Sequence, residues 1–247
     1  MNRPHFWGTQ SANFGDHRDL AILLIVLAIF AILALLPQFW VKRVIAAHSA
    51  ERHDFPGSGG EFARHLLDEM KLEYVGVEET NAGDHYDPAS KTVRLLPQHM
   101  HGRSLSAVVI AAHEVGHAMQ DATGYRPLAH RTRMAQQARW IETIGSAVMI
   151  LAPVMMIFTK APFLLVLQLI AGMIILSFTI LMHALTLPVE FDASFGRAMP
   201  LLKAGGYLDE KDMGAARAIL RAAAFTYVAA AAMSLLNVMR WIRVLRF

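Results

Sequence analysis

His113, Glu114 and His117 form an HExxH motif within His113-Glu-Val-Gly-His117. Four residues make about one helical turn, so on a helix both imidazoles project from one face and can bind a single metal ion. Glu114 falls on the adjoining face, within reach of a water polarised by that ion. Zinc lowers the pKa of such a water toward ~7, and a neighbouring glutamate can take its proton during attack on a carbonyl. The same carboxyl can then protonate the leaving amine. These residue types at this spacing point to hydrolysis of a peptide bond. Catalysis of this kind needs a third protein ligand and one open position. Gln120 and Thr123 stand where the extended motif with a nearby third histidine requires Gly and His. The open candidates are Asp121, His130, His183, Glu190 and Asp192. Asp121 lies one turn beyond His117, on a helix that already supplies two ligands. His130 can return from a loop. Glu190 follows a long apolar run directly, where an acid has few structural reasons to be.

Positioning the motif calls for a helix, and the local signals supply one. Ser104 or Ser106 can cap a helix that continues through Ala107-Val-Val-Ile-Ala-Ala112 to about Asp121. Upstream, Phe62, Leu66, Leu67 and Met70 recur at helical spacing and predict an amphipathic helix over about Glu61–Met70. Glu73–Glu79 and Lys91–Leu96 read as short strands. Asn81-Ala-Gly-Asp-His-Tyr-Asp-Pro88 between them carries the Gly, Asp and Pro of turns.

The rest of the 247-residue chain is unusually apolar. Residues of the hydrophobic set make up 55%, charged residues only 17%, and mean hydropathy is positive, which argues against an ordinary water-soluble globule. The excess is collected into runs. Leu20–Leu36 is unbroken and long enough, extended by Phe39 and Trp40, for a hydrocarbon core of about 30 Å. Further runs cover about Ile141–Phe158, Pro162–Leu187 and Ala222–Val238. More than half of the charged residues lie between Lys42 and Arg139. The expected organisation is a tail over 1–19, an anchor over 20–41, a zinc-binding domain over 42–140, two spans over 141–188, a polar segment over 189–221, and a fourth span with a basic tail over 222–247. Lys42, Arg43 and Arg52 follow the first run, and Arg126, Arg131, Arg133 and Arg139 precede the second, so the polar domain is expected on the cytoplasmic side. The absence of cysteine fits a reducing side. A net charge of +3 suggests lipid headgroups as neighbours more than nucleic acid.

Gly83-Asp-His-Tyr-Asp-Pro88, Lys91-Thr-Val-Arg-Leu95, Ala111-Ala-His-Glu-Val-Gly-His-Ala-Met-Gln120, Gly124-Tyr125 and Leu187-Pro-Val-Glu-Phe-Asp-Ala-Ser194 together resemble the YugP-type neutral zinc metallopeptidases, bacterial membrane proteins. The site also resembles the gluzincin scheme of the HtpX and CAAX-protease relatives, whose third ligand is a Glu opening an E-x-x-x-D helix. That resemblance implies Glu190 as third ligand. It also implies one Zn2+ per chain and places the protein in the bacterial inner membrane. Ser194 stands where those relatives carry Asp, with Asp192 a substitute for orienting a ligand. Lys91, Thr92, Val93, Arg94, Leu95 and Leu96 would form the edge strand that pairs with substrate. His85, Tyr86, Tyr125, His130 and Arg197 are candidate stabilisers of the oxyanion.

The expected fold is therefore a mainly α membrane protein, with about four transmembrane helices and a small α+β gluzincin-like zinc metallopeptidase domain. The expected substrate is a polypeptide at the lipid bilayer surface, including membrane proteins. The alternative is a non-hydrolytic zinc-containing adaptor or chaperone, whose partner binding would survive loss of Glu114.

Overall fold

The structure, a computed structural model, describes residues 17–159 and 163–226. Helix α1 (His17–Ala47) leads into a polar unit, and its last turns pack against that unit's core through Val44 and Ile45. Ser106 Oγ fastens the exit of α1 by donating to the His48 carbonyl at 2.8 Å. Helix α2 (Gly59–Glu69) begins at a capping box. Ser58 Oγ accepts from the Glu61 amide at 3.3 Å, while Glu61 Oε2 accepts from the Ser58 amide at 2.7 Å. Its buried face, Ala63, Leu66 and Leu67, packs on the motif helix.

A three-stranded sheet follows: β1 (Gly76–Glu79), β2 (His85–Asp87) and β3 (Thr92–Leu95), in the order β1-β3-β2. Strand β3 runs parallel to β1 and antiparallel to β2, with His85 opposite Arg94 and Tyr86 opposite Val93. Gly83, at φ 101°, makes the turn into β2 that a side chain would resist. Segment 81–88 reads as turn throughout, yet its centre is a strand, because pairing with β3 outweighs the local turn residues. The expected edge over Lys91–Leu96 is also corrected. Its core, β3, is hydrogen-bonded on both sides, and Val93 and Leu95 are wholly buried.

Helix α3 (Pro97–Met100) turns the chain into α4 (Leu105–Ala122), which carries the HExxH motif and starts at Ser104, whose Oγ accepts from the Ala107 amide at 3.2 Å. From Leu105 through Ala118 every residue of α4 is buried. Helix α5 (Arg126–Thr159) packs along α6 (Phe163–Phe191). Helix α6 widens into a π-helical stretch, Asp192–Ala198, continued by α7 (Met199–Ala204). A last described helix covers 210–226 and buries Ala216, Ile219 and Leu220 in the core.

The expectation of about four transmembrane helices is overturned: among the described residues no helix is long and apolar enough to cross a membrane. Among the described residues each apolar run is part of a longer helix that also carries polar residues. Helix α5 includes Arg126, Arg131, Arg133, Arg139 and Glu142 before its apolar half. Helix α6 continues through His183 and Pro188 to Glu190, at the centre of the polar unit. Without established spans, Lys42, Arg43, Arg126 and Arg131 do not assign the polar unit to one side of a membrane. Residues 1–16 of the tail and 227–238 of the fourth run lie outside the described residues. Many apolar side chains of α5 and α6, among them Trp140, Ile144, Leu151, Phe163, Val166 and Ile170, are exposed.

Candidate active site

The sequence brings α4 and the end of α6 together by leaving room at Gly116. A Cβ there would lie 2.7 Å from the Ala193 carbonyl oxygen, so only glycine permits this approach. His113 and His117 flank Gly116, and the close crossing aims both rings at the chain around Glu190. Pro188 lacks an N–H and removes one bond from the α6 ladder just before Glu190. The π-helical turns follow at once, a distortion that proteins tend to use at functional sites. We expect Gly116→Ala to cost about 1–3 kcal/mol through overpacking against backbone. It should weaken zinc binding in the same variant, both effects read from thermal melts and chelator competition. Wild-type values in both would show that the crossing can open freely.

His113 Nε2 lies 3.2 Å and His117 Nε2 3.6 Å from Glu190 Oε2. All three side chains are buried, and their ligand atoms lie within 4.8 Å of one another. Ligands about 2.0–2.2 Å from a tetrahedral zinc sit about 3.3–3.6 Å apart, and both histidine–glutamate separations are close to that spacing. Glu190 Oε1 is buried and has no hydrogen-bond partner among the described residues, although the Arg131 guanidinium lies 3.6 Å away. A buried carboxylate oxygen left in this state suits a group waiting for a cation.

The far ring nitrogens are held as well. Ser194 Oγ meets His113 Nδ1 at 3.1 Å, and Gln120 Oε1 meets His117 Nδ1 at 2.9 Å. Gln120 Nε2 donates to the Val189 carbonyl and to Asp192 Oδ2, both at 2.8 Å. Arg197 Nε also donates to Asp192 Oδ2, at 2.9 Å, and its guanidinium lies over the Tyr125 ring at 5.7 Å. Burial raises Asp192, but Gln120 and Arg197 more than offset this and keep it below the ordinary carboxylate range.

The three clustered residues border a cavity of about 250 Å3, which also exposes Asp84, His85, Tyr86, Glu114 and Arg131. Burial pushes the Glu114 carboxyl up to about 7, with His113 opposing the shift and Glu190 and Asp84 adding to it. A carboxyl so placed is suited to exchanging a proton near neutral pH.

The other residues singled out from sequence scatter. Asp121 is taken by Tyr86 Oη at 2.6 Å and by Lys91 Nζ at 2.5 Å, which ties β2 and the β2–β3 turn to the motif helix. His183 does not join the ligand group, and Asp192 stands behind it rather than in it. His130 is exposed, whereas its neighbour Arg131 faces the cavity. Tyr125 and Arg197 stack outside the cavity, while His85 and Tyr86 line it. Sequence reasoning missed Arg131, Asp84 and Gln120. Only Gln120 left a signal, three residues after His117 and so on the same helix side.

Comparison with known proteins gives the family of the chain. Residues 22–246 match the model of the family described as "Putative neutral zinc metallopeptidase". The chain is 35% identical over 227 residues to the "Putative membrane protease YugP" of Bacillus subtilis (strain 168), covering 90% of this chain and 96% of that protein. No solved structure matches. With its HExxH helix and the acid at residue 190 meeting at one buried point, the chain belongs to the neutral zinc metallopeptidase family and is a zinc-dependent peptidase.

Proposed function

We propose that the protein is a zinc endopeptidase that binds one Zn2+ per chain through His113, His117 and Glu190, with Glu114 as general base and then general acid. The observation that carries the reading is the convergence of both imidazole Nε2 atoms on Glu190 Oε2, at the floor of a cavity that Glu114 also lines. Bound there, zinc would supply a Lewis acid for polarising a carbonyl oxygen and acidifying water. Glu114 would take the proton of the attacking water and pass it to the departing amine. His85 and Arg131 are placed on the cavity wall, where a donor could meet negative charge developing on the substrate oxygen. Tyr86 Oη is engaged with Asp121 and is less suited to that task.

An extended substrate would pair with β2. Asp84, His85 and Tyr86 line the cavity, and β2 is hydrogen-bonded to β3 on one side. Work close to lipid is supported by the exposed apolar side chains of α5 and α6 and by the membrane protease named among the relatives. The test uses an unstructured fluorogenic polypeptide. Purified protein should hydrolyse it, lose the activity to a zinc chelator, and regain it when one equivalent of zinc is returned. Full zinc occupancy with no turnover on any polypeptide would favour the adaptor instead.

A further inference from the structure

We propose that Gln120 is a positioning residue for the metal centre. It fixes the tautomer of His117 and ties that ring to the backbone beside Glu190. The inference rests on the reading of His113, His117 and Glu190 as zinc ligands.

Gln120 is completely buried, so its amide must be satisfied by protein groups. A glutamine amide offers an acceptor oxygen and two N–H donors, and here the surroundings decide which end faces where. The Val189 carbonyl can only accept, and Asp192 Oδ2 already accepts from Arg197 Nε. Both lie 2.8 Å from one amide atom, which must therefore be the nitrogen. The oxygen is left for His117, 2.9 Å from Nδ1, so Nδ1 must carry the proton and donate. Nε2 then keeps its lone pair and presents it toward Glu190 Oε2.

The arrangement sets more than a tautomer. Val189 immediately precedes Glu190, so one side chain from α4 grips a ligand ring and the chain bearing another ligand. Asp192 and Arg197 hold the amide from the π-helical stretch, where the widened turn places Asp192 within reach. His113 is served separately by Ser194, so loss of Gln120 should perturb one ring and spare the other.

The test measures zinc affinity of the full chain by chelator competition, with cobalt substituted for zinc to read the ligand field. Gln120→Met keeps the length and apolar bulk of the side chain and removes its hydrogen bonds. It should weaken zinc binding about 10–100-fold, the usual consequence of losing a partner behind a ligand. The visible bands of the cobalt form should shift even at saturation, which a merely structural role would not cause. Wild-type affinity together with an unchanged cobalt spectrum overturns the proposal. Should Gln120→Met fail to fold, Asp192→Ala decides the matter: a smaller loss of affinity in the same direction supports the proposal and an unchanged affinity overturns it. His117→Ala is the control for the underlying reading. If it binds zinc as tightly as wild type, the ligand assignment itself fails, whatever Gln120 does.

Discussion

Replacing Glu114 with glutamine is expected to lower kcat/KM for peptide hydrolysis by about 10²–10⁴-fold, the usual contribution of a positioned acid–base group, while zinc remains bound. The substitution keeps the shape of the side chain and removes its capacity to accept a proton. Glu114 stands outside the ligand group and on the cavity wall, so the metal centre should survive its loss. Burial raises its carboxyl to about 7, with Glu190 and Asp84 contributing in the same direction. That shift disfavours the charged form, an unhelpful property for a residue serving only as a structural anion. It suits a group that must first gain a proton and then release it. Kinetics on a defined peptide, paired with zinc analysis of the same preparation, reads both halves of the prediction. Undiminished hydrolysis would remove Glu114 from the mechanism, and loss of zinc would make it part of the metal's support.

What could be read from sequence was local. The HExxH helix was legible because its information lies within one turn, and Ser104 and the apolar run after it mark where that helix starts. Ser58 and Glu61 mark the start of α2 in the same way. Glu190 was of another kind. It lies 77 residues from His113, and spacing left it among five candidates; only resemblance to known peptidases singled it out. The sheet order was hidden as well. Strand β2 has three residues between turn formers, and its existence depends on pairing with β3, which in turn denies β3 an edge. His130 and Arg131 show how fine the distinction becomes. One residue is about 100° around a helix, enough to leave the histidine in solvent and bring the arginine to the cavity. Hydropathy misled over longer stretches. It measured the apolar excess of the chain correctly, but α5 and α6 spend their polar ends on the site, so runs and helices do not coincide.

Removing the carboxylate in Glu190→Ala is expected to cost more zinc affinity than the about 10–100-fold typical of losing a partner behind a ligand, and to abolish hydrolysis with it. Two effects add. The metal loses an oxygen that lies 3.2 Å from one histidine nitrogen and 3.6 Å from the other, a spacing that fits a shared ion. It also loses the negative charge of the ligand set, in a buried place where Arg131 is already 3.6 Å from the second carboxylate oxygen. A dication entering two neutral imidazoles beside a guanidinium meets repulsion that the wild-type site offsets. Glu190→Gln separates the two contributions, since it retains an oxygen donor and the shape while removing the charge. Its affinity should fall between those of wild type and the alanine variant. The metal-free proteins need not lose stability in proportion, because a buried carboxylate is itself costly to desolvate and its removal offsets the lost contacts. Melting the metal-free proteins beside the zinc titrations therefore distinguishes a failed ligand from a failed fold. If Glu190→Ala melted like wild type and still bound zinc with wild-type affinity, the third ligand would have to come from elsewhere in the chain.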